Sequence, residues 1–254
     1  MMANSVFSVL LTAFFLLGWI VESRADRPEF AVDHISPGLL LSDPAVVIRS
    51  DERSFVWEAP GKGRLHVRQV ITLRNADAQA WSRQPLSYDS FRSVEDISGH
   101  IYDKDGNQVG RVRNRHITER SAVSGISLAE DAMMKIVELR HNEYPYTFEL
   151  EYSYTFDGLI GFPAWAPMHR QVALESSRYT IQVPESVDIN FATHHLEEAA
   201  EPDIQQQGMQ TRYTWQLSHQ PQLTSVQYGP PWHEMAPRLL VQRRILNMET
   251  KPEV

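Results

Sequence analysis

From residue 45 to residue 241 the hydrophobic and polar positions of the chain repeat with a period of two. Residues 64–73 show it most simply: Leu65, Val67, Ile71 and Leu73 share one face, with Gln69 the only polar residue among them. A pleated strand sends successive side chains to opposite faces, so this run predicts one buried and one wetted face. Residues 45–58 read as its hairpin partner, because Pro60-Gly61-Lys62-Gly63 between them is a strong turn signal. Residues 93–102 and 108–113 flank Asp103-Lys104-Asp105-Gly106-Asn107, where Asp-Gly supplies the positive φ of a tight hairpin. Residues 134–139 and 146–156 read as the next pair. The second of these sets Phe148, Leu150, Tyr152, Tyr154 and Phe156 against Thr147, Glu149, Glu151, Ser153 and Thr155. Each such side chain, if fully buried, contributes about 1.5–3 kcal/mol before entropy costs.

Further strands are expected at 178–183, 187–192, 211–217 and 239–241. Gly158, Gly161, Pro163 and Pro167 break the pattern around Trp165 and predict a shaped aromatic loop over 157–168. Residues 113–131 are polar and read as a long excursion, with a short helix around 127–133. About ten or more short strands, and no long amphipathic helix after residue 30, predict an all-β fold, an antiparallel β-sandwich. It occupies 45–241 as one domain, after an irregular lead-in at 26–44 and before a polar tail at 242–254.

The first 25 residues stand apart. Residues 6–21 are a nearly unbroken apolar run, and Ser23 and Ala25 sit where a signal peptidase requires small residues. A signal peptide over 1–25, cleaved after Ala25, is the expectation, and with it a periplasmic or secreted location. The departures are the lack of Lys or Arg before the run and its shortness against the roughly 20 residues that span a bilayer. The alternative is an uncleaved N-terminal anchor, the one case in which a membrane is a partner.

Composition narrows the chemistry. A net charge of −8 argues against a nucleic-acid partner, which demands a basic face. The chain has no Cys, so disulfides, thiolate metal sites and a Cys nucleophile are all excluded. Ten His are present, none at H-x-H or H-x-x-x-H spacing, and the adjacent His194 and His195 would face opposite ways on a strand. Asp103, Asp105 and Asn107 imitate the start of a calcium loop, but the glycine stands at the fourth loop position instead of the sixth. G-x-S-x-G and S-x-x-K are absent. Glu149 and Glu151 could flank a glycosidic bond, or form the solvated side of an amphipathic strand. No catalytic residue, cofactor or metal ligand is assigned. Aromatic residues on irregular segments, Trp81, Trp165, Tyr228 and Trp232, form a candidate binding surface. The competing reading has them plug the ends of the core.

The order of these features resembles a known family. It runs from Ala45-Val46-Val47-Ile48 through Tyr102-Asp103-Lys104-Asp105-Gly106, the alternating strand from Phe148 to Phe156 and the Trp165/Pro167 loop. It ends with Val183-Pro184 and Ala236-Pro237-Arg238-Leu239-Leu240-Val241. Over 42–241 the chain resembles the bacterial domain of unknown function 3857, a sandwich domain that usually precedes a transglutaminase-like domain in exported proteins. The resemblance implies no catalytic residues of its own, since the Cys-His-Asp chemistry belongs to the domain that follows. Here the sequence stops about where that domain should begin, as a stand-alone domain or a shortened product would. The expectation is an exported, non-catalytic binding or scaffolding module with a protein or glycan partner, a separately encoded transglutaminase-like protein included. The alternatives are a carboxylate-based hydrolase outside the cytoplasm and the remnant of a larger transglutaminase-like protein.

Overall fold

The computed structural model describes residues 29–122, 132–159, 161–223 and 231–244. The signal segment, Tyr228, most of the helix expected at 127–133 and the tail past 244 lie outside the described residues. The strands are β1 (Val46–Ala59), β2 (Lys62–Leu73), β3 (Arg83–Tyr88), β4 (Arg92–Tyr102), β5 (Gln108–Arg111), β6 (Ile117–Ser121) and β7 (Met133–Glu138). They continue as β8 (Tyr146–Asp157), β9 (Val172–Pro184), β10 (Ile189–His194), β11 (Asp203–Gln207), β12 (Gln210–Gln220) and β13 (Arg238–Arg243). Eight of them form one large sheet in the order β11-β12-β9-β1-β2-β8-β4-β5. Smaller sheets, β3-β7-β6 and β10-β13, complete an unequal sandwich.

The β1–β2 and β4–β5 hairpins stand where the turn signals predict, with Gly61 and Gly106 at φ +78° and +82°. Gly63 is also a point of close approach, since a Cβ there would lie 2.4 Å from Phe55 Cζ. Three differences from the sequence reading have physical causes. First, β1 and β9 pair in parallel, the one parallel pair among the described strands. A parallel pair needs a long connection, and the whole of β2 to β8 supplies it. Second, β7 and β8 do not pair with each other. β7 lies between β3 and β6, while β8 lies between β2 and β4, so the connection at 139–145 carries the chain from one sheet to the other. Third, β3, β6 and β11 are strands without an apolar rhythm. Pro85 interrupts β3, and β6 and β11 are almost wholly exposed edge strands, where solvent removes the need for alternation.

One face of the large sheet builds the core. Ile48, Phe55, Val67, Ile71, Phe148, Leu150, Tyr179, Ile181 and Trp215 pack against Leu86 and Val137 of one small sheet and Leu239 and Val241 of the other. The loop residues Phe162, Trp165 and Met168 join them. Tyr179 stacks between Trp165 and Trp215, with ring centroids 6.2 Å apart on each side.

The opposite face is covered only at one end. The segment from residue 29 to residue 44 crosses it as a strap, with a 3-10 turn at Val32–His34 and one helical turn at Pro37–Leu40. Ile35 and Leu39 seal Val47 and Ala173 beneath it. The Val32 N–H donates to the Lys104 carbonyl (2.9 Å), and the Thr147 hydroxyl donates to the Phe30 carbonyl (3.3 Å). Among the described residues the rest of this face is open.

Candidate functional site

Strand register turns the open end of the large sheet into a groove. Directly paired residues share a face, and Asp203, Thr214, Thr180, Ser54, His66 and Ser153 pair in succession from β11 to β8. This row, mostly small hydroxyl side chains, forms a floor running across the strands. Two residues along the strands on one side, Gln216, Arg178, Glu52, Arg68 and Glu151 pair in a parallel row. Two residues along on the other side stand Gln205, Arg212, Gln182, Val56 and Arg64. Long side chains on both sides of short ones make walls. At about 3.3 Å per residue and about 4.8 Å per strand, the walls stand about 13 Å apart, and five strands give a length of about 19 Å. The larger part, about 550 Å³, lies over Ser54, Thr180 and Thr214 between Arg178 and Arg212, and a second hollow of about 180 Å³ continues over His66 beside Arg68.

The two ends of the groove differ in charge pairing. Toward β8 each acid has a basic partner. Arg68 bridges Glu149 at 2.7 Å and Glu52 at 3.7 Å, and Glu151 meets His66 at 3.0 Å. The Tyr102 hydroxyl also donates to Glu149 (3.1 Å), and burial together with that carboxylate pushes it up to about 12. Toward β11 the balance reverses. Arg178 donates only to the Gln216 amide oxygen, and no carboxylate among the described residues pairs with Arg178 or Arg212. Asp203 accepts from Gln205 (2.7 Å).

Beneath the groove, on the core side of the same strands, lies a buried polar network. Asp51 is 1 % exposed and accepts from Gln69 Nε2 (3.0 Å), from Arg53 Nε (3.1 Å) and from Ser177 Oγ (3.2 Å). Ser177 in turn accepts from Trp165 Nε1 at 3.0 Å. Burial disfavours the Arg53 cation, yet the Asp51 carboxylate outweighs it and leaves the guanidinium above its ordinary range. Gln69, the polar intruder in an apolar row, is therefore a partner for Asp51, the residue paired with it across the hairpin. Burial holds the nearby His169 imidazole below its ordinary range; Arg53 acts in the same direction and Asp51 opposes both.

A histidine whose folded pKa lies below the unfolded value, near 6.5, costs stability as acid protonates the unfolded chain first. Stability from this group should be complete above about pH 6.5 and fall below it, by at most about 1.4 kcal/mol per pH unit for one proton. Urea unfolding at about pH 7.5 and about pH 5.5 measures this. His169→Phe should flatten that part of the slope, and an unchanged slope would assign the proton to another group.

The residues singled out from sequence fall elsewhere. Trp165 is 0 % exposed and cannot belong to a binding surface: its ring fills the core and its N–H is spent on Ser177. Trp81 is half-buried with its ring edge-on to His169 (5.1 Å), and Trp232 is half-buried against the core. None of the three lines the groove. Glu149 and Glu151 lie on the open face as an amphipathic strand dictates, but Arg68 holds the first and His66 the second, and they do not converge. The Asp103 loop is closed on itself, with the N–H groups of Asp105 and Asn107 donating to Asp103 Oδ1. His194 and His195 do not diverge: β10 ends at His194, His195 takes φ +49°, and the rings touch with centroids 4.2 Å apart. Among the described residues no three His, Asp or Glu gather as a metal site would require, and no helix is long and apolar enough to cross a membrane.

Among solved structures the chain is similar to a Parabacteroides distasonis protein described as a "putative protease". The TM-score is 0.68 at 16 % identity, over 79 % of this chain and 40 % of that one. The shared feature is the fold, and the chain spans well under half of that protein's length. More distant likenesses include an M1 zinc metallopeptidase from Deinococcus radiodurans (TM-score 0.41, 11 % identity, 78 % of this chain and 42 % of that one). Aminopeptidase A of Legionella pneumophila gives a TM-score of 0.36 at 11 % identity, over 79 % of this chain and 22 % of that one. No curated protein matches the chain. The model of the domain of unknown function DUF3857 matches residues 59–224, well over half of the sequence, and the chain belongs to that family.

Proposed function

We infer that this chain is a non-catalytic binding or scaffolding module that works outside the cytoplasm and seats its partner in the groove across the open sheet face. The observation that carries this reading is the groove itself. A strand face with no covering layer needs no more than scattered polar residues, whereas this one sets a hydroxyl floor between two rows of long polar side chains. The groove's acids toward β8 are engaged by Arg68 and His66, which leaves no free carboxylate pair there for general acid–base work. The apolar run at 6–21 and the small residues Ser23 and Ala25 support the extracytoplasmic setting. The partner is a protein or glycan, and the family resemblance makes a separately encoded transglutaminase-like protein the first candidate.

Thr180→Trp tests the reading, because it fills the floor from an outward-facing position without touching the core. Retention of partners from a cell-envelope extract should fall to background with this variant while its unfolding free energy stays within about 0.5 kcal/mol of the parent. Partner retention equal to that of the parent chain would remove the groove from the function.

A further inference from the structure

Resting on that reading, we propose that the β11-side half of the groove binds an acidic, extended segment of a partner polypeptide, with Arg178 and Arg212 receiving its carboxylates. The chain carries 32 acidic and 24 basic residues, so an arginine on its surface has no shortage of acids to meet. Arg49, Arg53, Arg64, Arg68 and Arg92 of the same sheet each have a carboxylate within 4.0 Å. Arg178 and Arg212, on neighbouring strands, have none among the described residues, and the Arg212 Nε is buried without a hydrogen-bond partner.

Their placement suits a ligand between them. The antiparallel register pairs Thr180 with Thr214, and each arginine stands two residues before its threonine, so the two guanidinium groups rise from opposite walls. Each presents a planar fork of donors that matches a carboxylate in two-point geometry. The Ser54, Thr180 and Thr214 hydroxyls and the Gln216 and Gln205 amides offer both donors and acceptors to a peptide backbone below. The whole groove, about 19 Å, accommodates about six extended residues, and its β11-side half about three. Among the described residues no Phe, Tyr or Trp ring lines it, so it lacks the broad stacking platform that a sugar face needs.

The experiment titrates labelled eight-residue peptides, blocked at both ends, into the whole chain and follows fluorescence anisotropy. The acidic probe alternates Glu and Ser, and the control alternates Gln and Ser. Saturable, salt-sensitive binding is expected for the acidic probe alone. Arg178→Gln/Arg212→Gln should weaken it by about tenfold or more, and Arg178→Lys/Arg212→Lys should restore part of the loss. Equal binding of the control, or binding unaffected in the Gln variant, would overturn the proposal. So would saturable binding of polygalacturonate, an anionic glycan, without binding of the acidic peptide. If envelope partners are lost with Thr180→Trp but kept with Arg178→Gln/Arg212→Gln, the groove remains the site and the acidic ligand is wrong. If neither variant alters retention, the groove reading fails as well.

Discussion

Replacing Asp51 with Ala should cost the domain about 3–5 kcal/mol, the expected penalty for breaking a buried ion pair by removing one partner. The loss reaches beyond Arg53. Gln69 Nε2 and Ser177 Oγ both donate to the Asp51 carboxylate, so the substitution strands a guanidinium and an amide and leaves the Ser177 hydroxyl only the main-chain carbonyl of residue 51, at 3.2 Å, as an acceptor. Arg53 carries the largest share, because its charge lies where burial already disfavours it. Asp51→Asn should cost less, since an amide oxygen still accepts from Gln69 or Ser177 while the charge is lost. Asp51→Leu combined with Arg53→Met should regain much of the stability, because replacing both ions with apolar side chains removes the desolvation penalty with the attraction. Urea unfolding of the four chains gives the comparison. A single Asp51→Ala loss below about 1 kcal/mol would mean that water reaches the pair and screens it as at a surface.

This network also bears on what could be read from sequence. The Gln69 position announces itself as an exception within an alternating strand, yet its meaning depends on which residue of β1 lies opposite. A bulge between Ile48 and Ser50 shifts the register there, and no local pattern in 45–58 discloses it. The same difficulty hides the groove. Ser54, Thr180 and Thr214 are unremarkable polar residues in three separate strands, and only the parallel pairing of β1 with β9 brings them into one row. Periodicity reports which face a residue occupies, and it did so correctly for Glu149, Glu151 and the Phe148 row. It carries no information about neighbours across strands that are far apart in the chain. At Trp165 the choice between a binding surface and a plug of the core was hidden for a related reason, and the ring takes the second role. Trp165 stands in a Gly- and Pro-rich loop, which marks an irregular backbone, but an irregular backbone can fold inward when its polar groups are met. Here the Trp165 N–H and C=O pair with Leu239 in an isolated bridge (3.1 and 2.8 Å).

That bridge sets up the second large effect. Trp165→Ala should cost about 3–5 kcal/mol, the range for emptying the volume of a fully buried large aromatic side chain. Three contributions converge on this ring: its packing in the core, its stacking on Tyr179 at 6.2 Å, and the hydrogen bond from Nε1 to Ser177. Trp165→Phe keeps most of the volume and deletes the donor, so it should cost about 1–2 kcal/mol. Because Trp165 is paired with Leu239, the Ala variant should also loosen β13, and hydrogen exchange at Leu239 should rise before that of the β1–β2 hairpin. The two sites are linked through one hydroxyl, since Ser177 accepts from Trp165 and donates to Asp51. Once the Asp51 carboxylate is gone, Ser177 is oriented only by the main-chain carbonyl of residue 51 and holds Trp165 less firmly, so the second substitution has less left to remove. A double-mutant cycle between Asp51→Ala and Trp165→Phe should therefore fall short of additivity by about 0.5–1.5 kcal/mol. Strict additivity would show that Ser177 keeps its geometry without the carboxylate, and that the aromatic loop is anchored by packing alone.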